Sequence, residues 1–300
     1  VPRIVSRIVS LISSATEIVH ALGELDSLVG RSHECDYPEA VRALPVCTRP
    51  RIAVDASSAE IDAQVKQSSR DSISIYDVYD DVISALEPTH ILTQIQCEVC
   101  AVSLRDVEAA LARGMTGQPR IVSLQPDSLA GIWNDIRRVA ASLDIDERGE
   151  RLIADLQSRM RFPLPAARPT VACIEWMEPL MAAGNWTPEL IELAGGRNLF
   201  GEPGRHSPRM NWDDLVAADP DVIIVAPCGF DLPRTEQELY WMTNRPGWQS
   251  LRARKYLADG NAYFNRPGPR VVETTRILAE VLHPESFVPT LRGIGWRALS

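Results

Sequence analysis

The chain has 300 residues, a formal charge of −9, and 45% hydrophobic and 24% charged residues. That length suits two lobes of roughly 100–150 residues each rather than one small core, and the acidic balance argues against a nucleic-acid surface. The longest apolar runs, such as residues 222–226, are strand-sized and far short of the roughly 20 residues a spanning helix needs.

In chain order the sequence alternates strand and helix. "IVSLI" (8–12) is an apolar, β-branched strand. "SSATEIVHALG" (13–23) is a helix in which Ser14 and Glu17 have capping-box spacing and Gly23 marks the stop. "SLVG" (27–30) is a second strand, followed by the polar loop "RSHECDYPEAV" (31–41). Ser57 and Glu60 repeat the capping-box spacing before "AEIDAQV". Then come the helical "DDVISALEP" (80–88), the strand "THILTQ" (89–94), a loop carrying Cys97, Glu98 and Cys100, a helix from about Ser103, and the strand "RIVSL" (120–124).

The middle changes character. Leu129, Ile132, Ile136, Val139 and Leu143 recur at spacings of three and four, which predicts an amphipathic helix. A second follows over 146–161, with Asp146 as cap and Leu152, Ile153, Leu156 and Met160 on one face; the proline-rich 161–169 ends it. The expected division is an N-terminal lobe over 1–127, linking helices over 128–168 and a C-terminal lobe over 169–300. Alternation then resumes with the strand "TVACIEW" (170–176). A helix follows with Thr187 as its cap, Pro188 in its first turn and Gly195 at its stop, and a helix–proline–strand run spans 211–227. Last come a strand and loop over 256–269 and a closing helix over 270–284. "SALEPTHILTQ" (84–94) and "VAADPDVIIVAP" (216–227) share one grammar: helix end, acid-Pro, apolar strand, polar loop. The fold class is α/β with mainly parallel sheets.

In such folds ligands bind beyond the carboxyl ends of strands. The unusual residues fall there. They are Ser14 and Thr16; His33, Glu34, Cys35 and Tyr37; Cys97, Glu98 and Cys100; Glu175, Trp176, Asn185 and Trp186; Cys228 and Phe230; and Tyr263, Phe264 and Arg266. Aromatic and polar groups mixed in this way are the usual lining of a small-molecule site. No G-x-S-x-G, H-E-x-x-H or P-loop pattern appears, so hydrolase or kinase chemistry has no support.

Together the stretches "RIVSLISSATEIVHALG", "SHECDYPEAVRALP", "LEPTHILTQ", "MAAGNWTPELIELAGG", "ADPDVIIVAPCGFD" and "NAYFNRPGPRVVE" resemble the cobalamin-binding branch of the ABC-transporter substrate-binding proteins, from about Arg7 to Pro284. That resemblance implies two Rossmann-like lobes joined by one long helix, about 146–161. It also implies a cleft that clamps a corrinoid as transported ligand and an ABC permease dimer as partner, with no cofactor required for chemistry. Tyr37, Trp176, Trp186, Phe230 and Phe264 would flank the ring, and Ser14, Thr16, Asn185 and Arg266 would bond its periphery. A processed chain would be periplasmic or at the cell surface; one whose native start lies just before Val1 would be cytoplasmic.

The six cysteines open alternatives that such a carrier does not require. Cys35, Cys97 and Cys100, with His33, have the donor types for a metal ion, haem or metal chelate. Cys97 and Cys100 could instead form a small disulfide, line the pocket or serve redox exchange, although both precede the helix whose dipole would activate them. A further alternative is an intracellular corrinoid- or thiol-handling protein on the same fold. Cys47 and Cys173 are expected in the core.

Overall fold

The computed structural model describes residues 6–71, 74–95 and 118–299. The chain divides into two compact units. Val1–Ala56, Ala63–Pro126 and Ala130–Asp155 form one; Ser57–Asp62, Asp127–Leu129 and Leu156–Ser300 form the other.

The first unit is built on β1 (Ile8–Ser10), β2 (Leu28–Arg31), β5 (His90–Gln94) and β6 (Arg120–Leu124), in the order β2-β1-β5-β6 with every pair parallel. Helix α1 (Ser13–Ala21) follows β1 directly. Strands β3 (Thr48–Pro50) and β4 (Tyr76–Val78) form a small antiparallel pair, with α2 (Ser58–Arg70) between them in sequence and α3 (Asp80–Ala85) after β4. Val9, Leu11, Cys47, Ile75, Tyr76, Ile83 and Ile91 pack as one apolar cluster. Parallel strands covered on both faces read as continuous apolar runs, which is why β1 and β5 stand out in the sequence.

The predicted middle helices are α4 (Leu129–Ser142) and α5 (Asp146–Arg159). Ile132, Ile136, Val139 and Leu143 are buried, as are Ile153, Leu156 and Met160.

The second unit carries β7 (Thr170–Trp176), β8 (Met181–Ala182), β9 (Arg197–Asn198), β10 (Val222–Val225), β11 (Arg254–Ala258) and β12 (Trp296–Ala298). The order is β12-β11-β10-β7-β8, and β9 also pairs with β7. The β11, β10, β7 and β9 pairings are parallel; β8 and β12 are antiparallel additions. Its helices are α6 (Thr187–Leu193), α7 (Trp212–Ala218), α8 (Leu232–Glu238), α9 (Tyr240–Thr243) and α10 (Val271–Leu282). Strand β12 went unread because its three residues carry no apolar run. Buried Glu280 secures the approach to it, accepting from Thr290 N and Oγ1, Leu291 N and Trp296 Nε1.

Two helix starts differ from expectation. Helix α1 begins at Ser13 with Ile12, whose side chain makes no capping bond, as its N-cap, so Ser14 sits inside the first turn. Helix α6 is preceded by Trp186, and Thr187 is already helical. The Ser57–Glu60 box is formed as read, with Ser57 N and Oγ donating to Glu60 Oε2 at 3.0 and 2.7 Å.

Candidate functional site

In the first unit the β1–α1 turn and the loop after β2 meet through small polar side chains. Thr16 Oγ1 lies 2.8 Å from Ser10 Oγ and 3.0 Å from Cys35 Sγ. Ser10 Oγ donates to Ile12 O at 3.0 Å, and Cys35 Sγ donates to Ser32 Oγ at 3.4 Å. All four side chains are buried. Burial pushes the Cys35 thiol pKa up, against weaker lowering by Ser32 and Thr16, so the sulfur stays protonated at neutral pH. A neutral thiol in such a knot packs and bonds; it is a poor nucleophile. Ser14 is buried nearby, its Oγ without a hydrogen-bond partner among the described residues.

His33 is tied elsewhere in this loop. Its Nδ1 is 2.8 Å from Thr48 Oγ1, and its ring rests 5.5 Å from that of Tyr76. Burial, helped by the Arg31 charge, lowers its pKa to about 4, so the imidazole is neutral at pH 7. Glu34 keeps partial exposure, with Oε1 3.7 Å from His33 Nε2. Tyr37 is 41% exposed and meets the His20 ring edge-on at 5.9 Å. This places an aromatic ring at the surface.

The sequence reading also singled out Cys97, Glu98 and Cys100; all three lie outside the described residues. Among the described residues no group of three or more His, Cys, Asp or Glu side chains is placed to hold a metal ion. Cys47 and Cys173 are buried with their thiol pKa values pushed up by desolvation, Cys47 to about 12.

The second unit builds its strand-end edge from aromatic rings. Trp176 closes β7; its Nε1–H is shared between Ser58 O at 3.2 Å and Glu178 O at 3.0 Å, and its ring lies 5.3 Å from Phe230. The Arg234 guanidinium sits 5.0 Å over the Phe230 ring. Trp186 Nε1 donates to Phe264 O at 3.1 Å, joining the α6 entry to the loop after β11. That loop is a π-helical turn over Gly260–Phe264, held by Asp259 accepting from Ala262 N. Desolvation raises the Asp259 pKa, and Asp231 adds to the shift. Arg270 stacks over Tyr263 at 4.5 Å, and buried Arg266 donates to Asn261 Oδ1 at 3.2 Å.

Two glycines let this edge close. A Cβ on Gly260 would stand 1.9 Å from Pro227 O, and one on Gly184 would stand 2.5 Å from Arg205 O. Neither backbone approach tolerates a side chain. Next to Gly184, Asn185 adopts φ 53°. Ser207 Oγ donates to Glu175 Oε1 at 2.7 Å and accepts from Gly184 N at 3.1 Å.

Trp186, Phe230, Tyr263, Phe264 and Arg266 are therefore buried, whereas Glu175, Trp176, Asn185 and Cys228 keep partial exposure. Cys228 N donates to Glu175 O at 3.1 Å, which sets these two residues side by side. Sequence reasoning missed Ser58, Ser207, Glu238 and Asp259. Ser58 pairs with Glu238 across 180 positions, so no local pattern announces it. Asp259 did carry a signal, because an acid before Gly-Asn is a turn cap.

A sequence model described as periplasmic binding protein matches residues 8–256. A curated relative, the vitamin B12-binding protein of Vibrio vulnificus, is 22% identical over 274 residues, covering 89% of this chain and 86% of its own. Among solved structures, a periplasmic haem-binding protein from Pseudomonas aeruginosa superposes with a TM-score of 0.67 at 19% identity, covering 98% of this chain and 95% of its own. The periplasmic vitamin B12-binding protein of Vibrio cholerae gives 0.60 at 18% identity, covering 94% and 98%. At these identities the structural likenesses establish the fold.

Proposed function

This chain belongs to the periplasmic binding protein family, and we propose that within it the protein carries a corrinoid for an ABC importer. Binding proteins of this kind capture a solute and hand it on; they are not enzymes, and the ligand is cargo rather than cofactor. No helix among the described residues is long and apolar enough to cross a membrane. The partner proposed to receive the cargo, on the family's precedent, is an ABC permease.

One observation carries the corrinoid assignment: a relative aligned over 89% of this chain is named for vitamin B12 binding. The edge chemistry agrees. A corrinoid offers a broad apolar ring with an amide-rich rim. Rings at the surface, Tyr37 and Trp176, suit the former. Glu34, Glu175 and Asn185, each partly exposed, suit the latter as hydrogen-bond partners. Buried Phe230 serves as a rigid support beside Trp176. Haem is the second reading, favoured by the fold likeness to a haem-binding protein.

The test is an absorbance titration with hydroxocobalamin and cyanocobalamin. Saturable one-to-one binding at micromolar concentration or tighter is expected. Tyr37→Ala and Trp176→Ala should each weaken it about tenfold, the cost of one well-packed ring contact. Absence of binding to both cobalamins would remove the corrinoid reading.

A further inference from the structure

Residues 57–62 belong to the second unit, although the chain on both sides of them belongs to the first. They form the first turn of α2. Ser58 N and Oγ both donate to Glu238 Oε2 at 3.0 Å, and Trp241 Nε1 donates to the same oxygen at 3.0 Å. Ser58 O in turn accepts from Trp176 Nε1. Ser58 is fully buried and Glu238 almost so. A carboxylate on helix N-terminal N–H groups gains from both charge-assisted bonding and the helix dipole.

We propose that this turn is a releasable strap on the aromatic edge of the second unit, fastened by the Glu238 carboxylate, and that it must leave before a ligand can replace Ser58 O beside the Trp176 indole N–H, which Glu178 O shares. Three observations support release rather than permanent packing. The turn caps itself through Ser57 and Glu60, so its local fold does not depend on Glu238. Its other side chain toward the second unit's core, Ile61, is only partly buried. Asp62 lies 3.8 Å from the largely exposed Arg209, a separation at which a surface pair contributes little. Glu238 Oε2 thus takes both the backbone and the side-chain bond of Ser58, and the Trp176 indole bonds the carbonyl of the same residue. The same device recurs at the other short segment the second unit takes, residues 127–129: Leu129 N, at the start of α4, donates to Glu189 Oε2 at 2.7 Å.

The strap itself stands apart from the ligand assignment; its effect on access rests on reading Trp176 as a ligand contact. Hydrogen exchange by mass spectrometry on wild type, Glu238→Gln, Ser58→Ala and Glu189→Gln tests the fastening. Glu238→Gln keeps the shape and removes the charge, and should speed exchange over 57–62 about tenfold. Ser58→Ala, which keeps the backbone bond, should give a smaller increase. Glu189→Gln should speed exchange over 127–129 and leave 57–62 unchanged. Acrylamide quenching of Trp176, taken as the difference from Trp176→Phe, should rise in Glu238→Gln, and cyanocobalamin should bind that variant about fivefold more tightly.

Unchanged exchange over 57–62 in both Glu238→Gln and Ser58→Ala would overturn the strap. Faster exchange without tighter binding of a probe that wild type binds would overturn its control of access. If wild type binds neither cyanocobalamin nor haemin, the ligand assignment fails, and the exchange and quenching results still decide whether the strap exists.

Discussion

The strand-end edge of the first unit is a knot of small hydroxyl and thiol groups, whereas that of the second is a bed of aromatic rings. Ser10, Thr16, Ser32 and Cys35 gain specificity from directed bonds of 2.8–3.4 Å. Trp186, Phe230, Tyr263 and Phe264 gain it from volume. The difference teaches that two edges of similar topology can be made rigid by different means, and that each fails differently. A hydrogen-bond knot loses about 1–3 kcal/mol when one partner goes, the cost of leaving a buried polar group unsatisfied. A packed ring leaves a cavity.

The comparison is sharpened most by Phe264→Ala. Phe264 is 1% exposed, and its truncation should cost about 4 kcal/mol, measured by urea denaturation; a loss below about 1 kcal/mol would mean that the bed is not a packed core. Gly260→Ala should come next, at about 2–3 kcal/mol from overpacking against Pro227 O. A melting temperature equal to wild type would show that the turn adjusts freely.

Thr16→Val probes the other edge. It keeps the shape and removes the hydroxyl that touches Ser10 and Cys35, and should cost about 1–2 kcal/mol. A cost as large as that of Phe264→Ala would erase the contrast between the edges.

A smaller effect is expected from pH. The fold lowers the His33 pKa from 6.5 to about 4, so the folded state disfavours a proton that the unfolded chain accepts. Stability from this group is complete above about pH 6.5 and declines as pH falls from there toward about 4. His33→Asn should remove that part of the decline. Parallel stability–pH curves for the two proteins between pH 6.5 and 4 would contradict the assignment.

Much of this was legible in the sequence because burial writes itself as periodicity. The spacing of Ile132, Ile136 and Val139 marks the buried face of α4. The two acid-Pro repeats also proved structural. Glu87 and Asp219 end their helices with φ of 43° and 38°, and each is followed by proline and a buried parallel strand. His90 in β5 is structural: its ring nitrogens meet Thr89 Oγ1 and Ser142 O. At the candidate edges the residue types were legible but their exposure was not. Nothing local distinguishes Trp176, partly exposed at the end of β7, from Trp186, which is sealed by its bond to Phe264 O. That distinction is made by partners distant in sequence, as is the Ser58–Glu238 pair.

The most direct test of the carrier assignment is competition calorimetry of the purified protein with cyanocobalamin and haemin. The account predicts one-to-one binding of cyanocobalamin with at least about tenfold preference over haemin, a difference of about 1.4 kcal/mol. Tighter binding of haemin, or binding of neither, would contradict it.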